Sequence, residues 1–131
     1  MLLDGASANY RITQSVPAGA GTLDRPSPIQ LMKAMKTPAE QEHERLAHIK
    51  DGVAVTRFLY WLKHTVGREP ITEISAAKRL EALRTEGEHY LEQSFDPILA
   101  YGAHGAIVHY EPTAESDVPL EPRGLCLADT G

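Results

Sequence analysis

Two side chains near the end of the chain have types and settings that suit chemistry, His109 and Asp129. Apolar residues alternate through Ala106–Tyr110, so Ile107 and His109 share one face of a predicted strand while Ala106, Val108 and Tyr110 share the other. In Leu125–Asp129 the residues Leu125, Leu127 and Asp129 fall on one side of a second strand. A carboxylate that completes an apolar face is costly to bury unless a metal, a proton or a hydrogen-bond donor compensates it. Read alone, each residue also has an ordinary explanation. Asp129 could cap the turn through Thr130 and Gly131, and His109 could be a hydrogen-bonded structural histidine.

The remaining candidates are weaker. His43 and His48 lie five apart on a predicted helix, roughly 140° around its axis, which disfavours a shared metal and favours solvated histidines. His64 and His89 stand alone. His104 lies in the Gly-flanked turn Gly102–Gly105, where a loop-stabilising or solvent-facing role is favoured over a substrate contact. The single cysteine, Cys126, falls on the strand face opposite Asp129 and reads as a small buried hydrophobe rather than a nucleophile. With no partner it forms no internal disulfide, which fits a reducing compartment.

The elements that must position these residues are readable from caps and periodicity. Thr37-Pro38-Ala39-Glu40 predicts a helix start, with Thr37 as cap, Pro38 at the first position and Glu40 completing a capping box. That helix is expected to run to about Val66 and end at Gly67, with Leu46, Ile49 and Val53 on one stripe and Val55, Phe58, Leu59 and Leu62 broadening it. Such a wide apolar surface must pack on a sheet or another helix. Thr72 is the next cap, followed by Ile74, Ala77, Leu80 and Leu83 on a second helix ending near Gly87, with Glu73 favourable at its positive end. Phe95–Tyr101, Ala106–Tyr110 and Leu125–Asp129 are the predicted strands. Residues 1–36 hold VPAGAG and RPSP turn signals and one short helical stretch, Ile29–Lys36.

Composition sets outer bounds. A chain of 131 residues with 42% hydrophobic content can bury one core and is too short for two full domains. The net charge of -5 and the lack of any Lys/Arg-rich run argue against a nucleic-acid partner. No segment approaches the ~20 apolar residues of a membrane span, and Met1–Ser7 has no basic, apolar leader, so a cytoplasmic protein with no membrane partner is expected.

The order of these blocks resembles a known family. GAIVHY followed by EPT, a polar loop and a hydrophobic strand ending in Asp-Thr-Gly is similar to the N-terminal part of the catalytic domain of Xaa-Pro aminopeptidase (aminopeptidase P), in the creatinase/prolidase-like group. PSPIQLMKAMKTPAEQE, RLAHIKDGVAVTRFLYWL, ITEISAAKRLEALR and SFDPILAYG match successive blocks, so the likeness covers about four-fifths of the chain. It implies an α+β, partial pita-bread fold in which two helices precede an antiparallel strand set. Residues 1–36 would close a preceding domain and form a linker, and residues 37–131 would begin a truncated catalytic domain.

The resemblance further implies two divalent ions, usually manganese, held by two Asp, one His and two Glu. Asp129 matches the first ligand and the other four fall beyond Gly131. His109 matches the family histidine beside the metal centre, in a catalytic and substrate-binding role, and this outweighs its structural reading. Thr130 departs from the usual Ser. The implied substrate is a peptide with proline at the second position, and the implied full-length form is a homodimer. On this reading the isolated chain is an inactive fragment. A non-catalytic peptide- or protein-binding module of the same fold and a prolidase-like dipeptidase fragment are the alternatives. Asp-Thr-Gly after an apolar run also marks aspartic proteases, which pair two carboxylates, but the long N-terminal helices oppose that all-β family.

Overall fold

The computed structural model describes residues 1–131 and divides them into two compact units, Met1–Glu44 and Arg45–Gly131. In the first unit, β1 (Leu2–Leu3) pairs in parallel with β2 (Leu23–Asp24), and the terminal ammonium donates to the Gly21 carbonyl at 2.6 Å. Between them Asn9 caps the short helix α1 (Tyr10–Gln14), accepting from the Ile12 N–H at 3.0 Å. The helix α2 (Pro28–Ala34) follows. The Gly, Ala and Ser composition gave no forewarning of β1, α1 and β2, because pairs of two residues carry no period.

Helix α3 (Pro38–Thr65) starts and stops where its caps dictate. The Thr37 N–H donates to Glu40 Oε2 at 2.7 Å and the Glu40 N–H returns to Thr37 Oγ1 at 3.3 Å, a reciprocal capping box. Beyond its last turn Gly67 takes φ +79°, a left-handed conformation, and a Cβ there would lie 2.8 Å from Pro122 Cγ. Gly67→Ala is therefore expected to cost about 1–2 kcal/mol from the left-handed backbone alone, read as a lower urea midpoint with an unchanged slope. Helix α4 (Glu73–Thr85) begins with a second capping box between Thr72 and Ser75. Asp117 adds a further cap, accepting from the Ile74 N–H at 3.0 Å, so the loop after Tyr110 is tied to the start of α4.

The core of the second unit lies where α3, α4 and one strand meet. Phe58, Ala76, Leu80 and Leu99 are fully buried, and Ala54, Ile71, Leu83 and Leu120 complete the cluster. Burying each Leu or Phe contributes about 1.5–3 kcal/mol. Strand β3 (Ile98–Tyr101) pairs antiparallel with β4 (Cys126–Asp129), with Ile98 opposite Asp129 and Tyr101 opposite Cys126. The Leu120 N–H bonds to the Ile71 carbonyl at 2.8 Å and holds the loop before β4 against the helix pair.

Three expectations are corrected. Ala106–Tyr110 is not a strand: Gly102–Ala106 forms a 3₁₀ turn, and His109 adopts φ +55°, so Ile107 and His109 share no pleated face. Gly102 supplies the φ of +58° that reverses the chain, and i→i+3 bonding then replaces extension. All four β4 residues are exposed, so Asp129 completes no buried apolar face and Cys126 is exposed rather than buried. The local surroundings of the Cys126 thiol nevertheless push its pKa up, chiefly by desolvation. On α3 the stripe Leu46, Ile49 and Val53 faces solvent, whereas Phe58 of the broadened face is buried as expected, with Ala54 beside it and Val55 and Leu62 packed against the core.

Candidate functional site

Although the predicted faces are wrong, the structure brings the two predicted site residues together. A groove of about 320 Å³ lies beside the β3–β4 pair, and both His109 and Asp129 line it. Asp129 arrives from the last residue of β4, opposite Ile98. His109 arrives from the turn after the 3₁₀ segment, in a left-handed conformation that His adopts more readily than most residues. The walls between them are apolar, with Ile98, Ile107 and Leu127 among them. The Asp129 carboxylate enters no hydrogen bond or ion pair, so its oxygens are open to a cation or a donor.

Behind the groove lies a polar cluster that the sequence reading did not anticipate. Glu73, the first residue of α4, is fully buried. Its carboxylate accepts from the Tyr101 N–H at 2.6 Å, from the Tyr110 hydroxyl at 2.6 Å and from His104 Nδ1 at 3.0 Å and 3.1 Å. The His104 ring stacks on Tyr110 with centroids 4.5 Å apart. A buried carboxylate is tolerable only with such a donor set, and no buried side-chain polar atom is left unpaired. Both His104 and Tyr110 also line the groove, so Glu73 fixes two of its walls from inside.

Tyr110 is held neutral by this setting. Desolvation and then the Glu73 carboxylate raise its pKa above the ordinary value of 10.0. A group whose folded pKa is raised stabilises fully below its unfolded pKa and loses that contribution as pH climbs through the folded value. Stability should thus be flat in this group up to about pH 10 and fall above it, and Tyr110→Phe should flatten that alkaline limb in unfolding experiments at several pH values.

A second buried charge steadies the end of β4. Arg84 donates through Nε to Asp51 Oδ1 at 2.7 Å and through Nη2 to Asp51 Oδ2 at 3.2 Å, a bidentate pair between α4 and α3. Nη2 also lies 3.4 Å from the Gly131 carbonyl oxygen, two residues past Asp129. Glu73 and Arg84 sit on the stripe that α4 buries, together with Ala76, Leu80 and Leu83. Of the expected stripe Ile74, Ala77, Leu80 and Leu83, the two leucines are buried, and Glu73 and Ala76 take the buried places expected for Ile74 and Ala77. Charges at both ends of an apolar face were the available signal.

The other histidines do not join the site. His43 and His48 are exposed on α3, His64 bonds and stacks against Tyr60, and His89 is an exposed loop residue at φ +64°. No three His, Cys, Asp or Glu side chains converge closely enough to hold a metal ion. Asp129 fits as one hard oxygen ligand, but this chain alone does not assemble a complete metal site.

Residues 42–131 match the sequence pattern of metallopeptidase family M24. The chain belongs to this family. It is 32% identical over 150 residues to aminopeptidase P1 of Arabidopsis thaliana, covering 98% of the chain and 23% of that protein. Xaa-Pro aminopeptidase 2 of Sus scrofa is 36% identical over 123 residues, covering 94% and 18%. Among solved structures, X-prolyl aminopeptidase of Caenorhabditis elegans, a cytosolic enzyme with a di-nuclear active site, superposes with TM-score 0.79 at 32% identity, over 84% of this chain and 18% of that one. The M24 chain therefore has the α+β architecture of part of a pita-bread domain, and it spans about a fifth of the length of these relatives. No helix is long and apolar enough to cross a membrane.

Proposed function

We propose that this chain is the N-terminal portion of the catalytic domain of an Xaa-Pro aminopeptidase, in which Asp129 is a metal ligand and His109 contacts the peptide. The observation that carries this reading is the convergence of His109 and Asp129 on one groove from separate elements. Residues 1–36 then form the end of a preceding domain and a linker. The metal is a pair of divalent ions, with Mn²⁺ suited to hard carboxylate oxygen. When bound, the pair supplies Lewis acidity and activation of water near neutral pH.

The chain's own residues do the rest. Asp129 presents an open carboxylate at the rim of the sheet, where it would serve as one oxygen ligand. The apolar walls at Ile98, Ile107 and Leu127 suit a proline ring. His109 presents an imidazole to the peptide beside the cleaved bond, where it orients the carbonyl or stabilises developing charge. The substrate is a peptide with proline in second position, and a cytosolic relative supports a cytoplasmic setting.

The test compares two proteins. The 131-residue chain with Mn²⁺ and an Xaa-Pro peptide should show no hydrolysis, because it gathers no set of three ligands. A chain extended along the coding DNA past Gly131, through a second Asp, a His and two Glu, should hydrolyse the peptide, and His109→Ala in it should lower kcat/KM by about 10²-fold or more. Robust Mn²⁺-dependent activity from the short chain, or an extended chain that is folded and inert, would overturn the assignment.

A further inference from the structure

His104 occupies a position that neither His109 nor Asp129 explains. Its Nδ1 faces the buried Glu73 carboxylate at 3.0 Å and 3.1 Å, and its ring is stacked on Tyr110. An ionised carboxylate only accepts, so Nδ1 carries the proton in that pair. The other two donors to Glu73, the Tyr101 N–H and the Tyr110 hydroxyl, suit the same carboxylate form. The tautomer and the plane of the ring are therefore set from behind, as a carboxylate sets a histidine that must present its second nitrogen forward. That second nitrogen, Nε2, has no protein partner, while the side chain is 23% exposed and lines the groove.

A histidine kept only to satisfy Glu73 would need just its Nδ1 proton. Here a stacked, tautomer-fixed ring leaves a free nitrogen in a groove whose other walls are largely apolar. Such grooves take their specificity from a few placed polar groups. We propose that His104 is a peptide-contacting residue, with Glu73 and Tyr110 as its positioning residues, and that Nε2 hydrogen-bonds a backbone amide group of a peptide in the groove. The proposal rests on the reading of the groove as a peptide site.

The test uses the 131-residue chain, ¹⁵N-labelled, with long-range ¹H–¹⁵N spectra of the imidazole nitrogens recorded while a non-hydrolysed Xaa-Pro-Pro peptide is added. The free chain should show His104 protonated at Nδ1, and the peptide should shift His104 Nε2 together with the His109 ring. A shift of His109 alone overturns the role of His104 and leaves the peptide groove standing. No shift of either ring at millimolar peptide overturns both. An Nε2-protonated neutral ring overturns the proposal outright.

Two variants separate contact from support. Asparagine can place an amide N–H where Nδ1 stands but has nothing at Nε2, so His104→Asn should unfold near the wild-type midpoint while binding the peptide about two- to tenfold more weakly, the span of one hydrogen bond. His104→Ala should lose both stability and binding. If His104→Asn binds as well as the wild type, the residue is structural only.

Discussion

Glu73→Ala is expected to lower the unfolding free energy by about 3–5 kcal/mol, because it leaves three donors without their acceptor and each orphaned buried donor costs about 1–3 kcal/mol. The magnitude follows from what the substitution leaves behind. The Tyr101 N–H, the Tyr110 hydroxyl and His104 Nδ1 all lose their common acceptor at once, and the carboxylate site is fully buried. Total stabilities of about 5–15 kcal/mol make such a loss enough to leave much of the chain unfolded at 37 °C. Glu73→Gln keeps the volume and one good acceptor but turns an amide NH₂ toward donors, so it should cost less, about 1–3 kcal/mol. The triple variant Glu73→Leu, His104→Leu, Tyr110→Phe removes the side-chain polar groups together and should recover part of the loss, because of the three donors only the Tyr101 N–H is then left without its acceptor. Urea unfolding followed by circular dichroism reads all three. A Glu73→Ala midpoint close to wild type would mean that the cluster does not hold the groove.

Capping residues made the helices legible because the signal is local: Thr37 and Glu40, then Thr72 and Ser75, bond each other across one turn wherever the chain goes next. Strands depend on distant partners, and there the alternation in Ala106–Tyr110 misled. The same residues could pair as a strand, but the left-handed Gly102 and the Glu73–His104 contact draw the segment into a turn. On α3 the pattern admitted two apolar faces, and burial chose Ala54 and Phe58 over Leu46, Ile49 and Val53.

For the site, family likeness pointed to His109 and Asp129, and their shared groove follows from a turn and a strand end rather than from the two strand faces expected. Glu73 was visible only as a favourable charge at a helix end. Its burial depends on His104 and Tyr110, which lie 31 and 37 residues further along. No single-helix pattern carries that information, although a carboxylate in register with Ala76, Leu80 and Leu83 is a warning that one face carries more than packing.

Asp129→Asn should have opposite consequences for fold and for chemistry, which makes it the most discriminating single change. In the 131-residue chain Asp129 is exposed and its carboxylate has no partner, so the amide should leave stability within about 0.5 kcal/mol of wild type. In an aminopeptidase built on this chain the same change replaces an anionic ligand by a neutral amide. Altering only the groups that orient a ligand costs about 10–100-fold in metal affinity or activity, so altering the ligand itself should lower kcat/KM by more than about 100-fold, with a matching rise in the Mn²⁺ concentration needed for half-maximal rate. Excess Mn²⁺ should restore part of the activity, because the defect is in affinity. A loss of activity without a change in metal dependence would place Asp129 at the substrate instead of the metal. A drop in stability of 1 kcal/mol or more would make it the turn-capping carboxylate that Asp-Thr-Gly alone suggests.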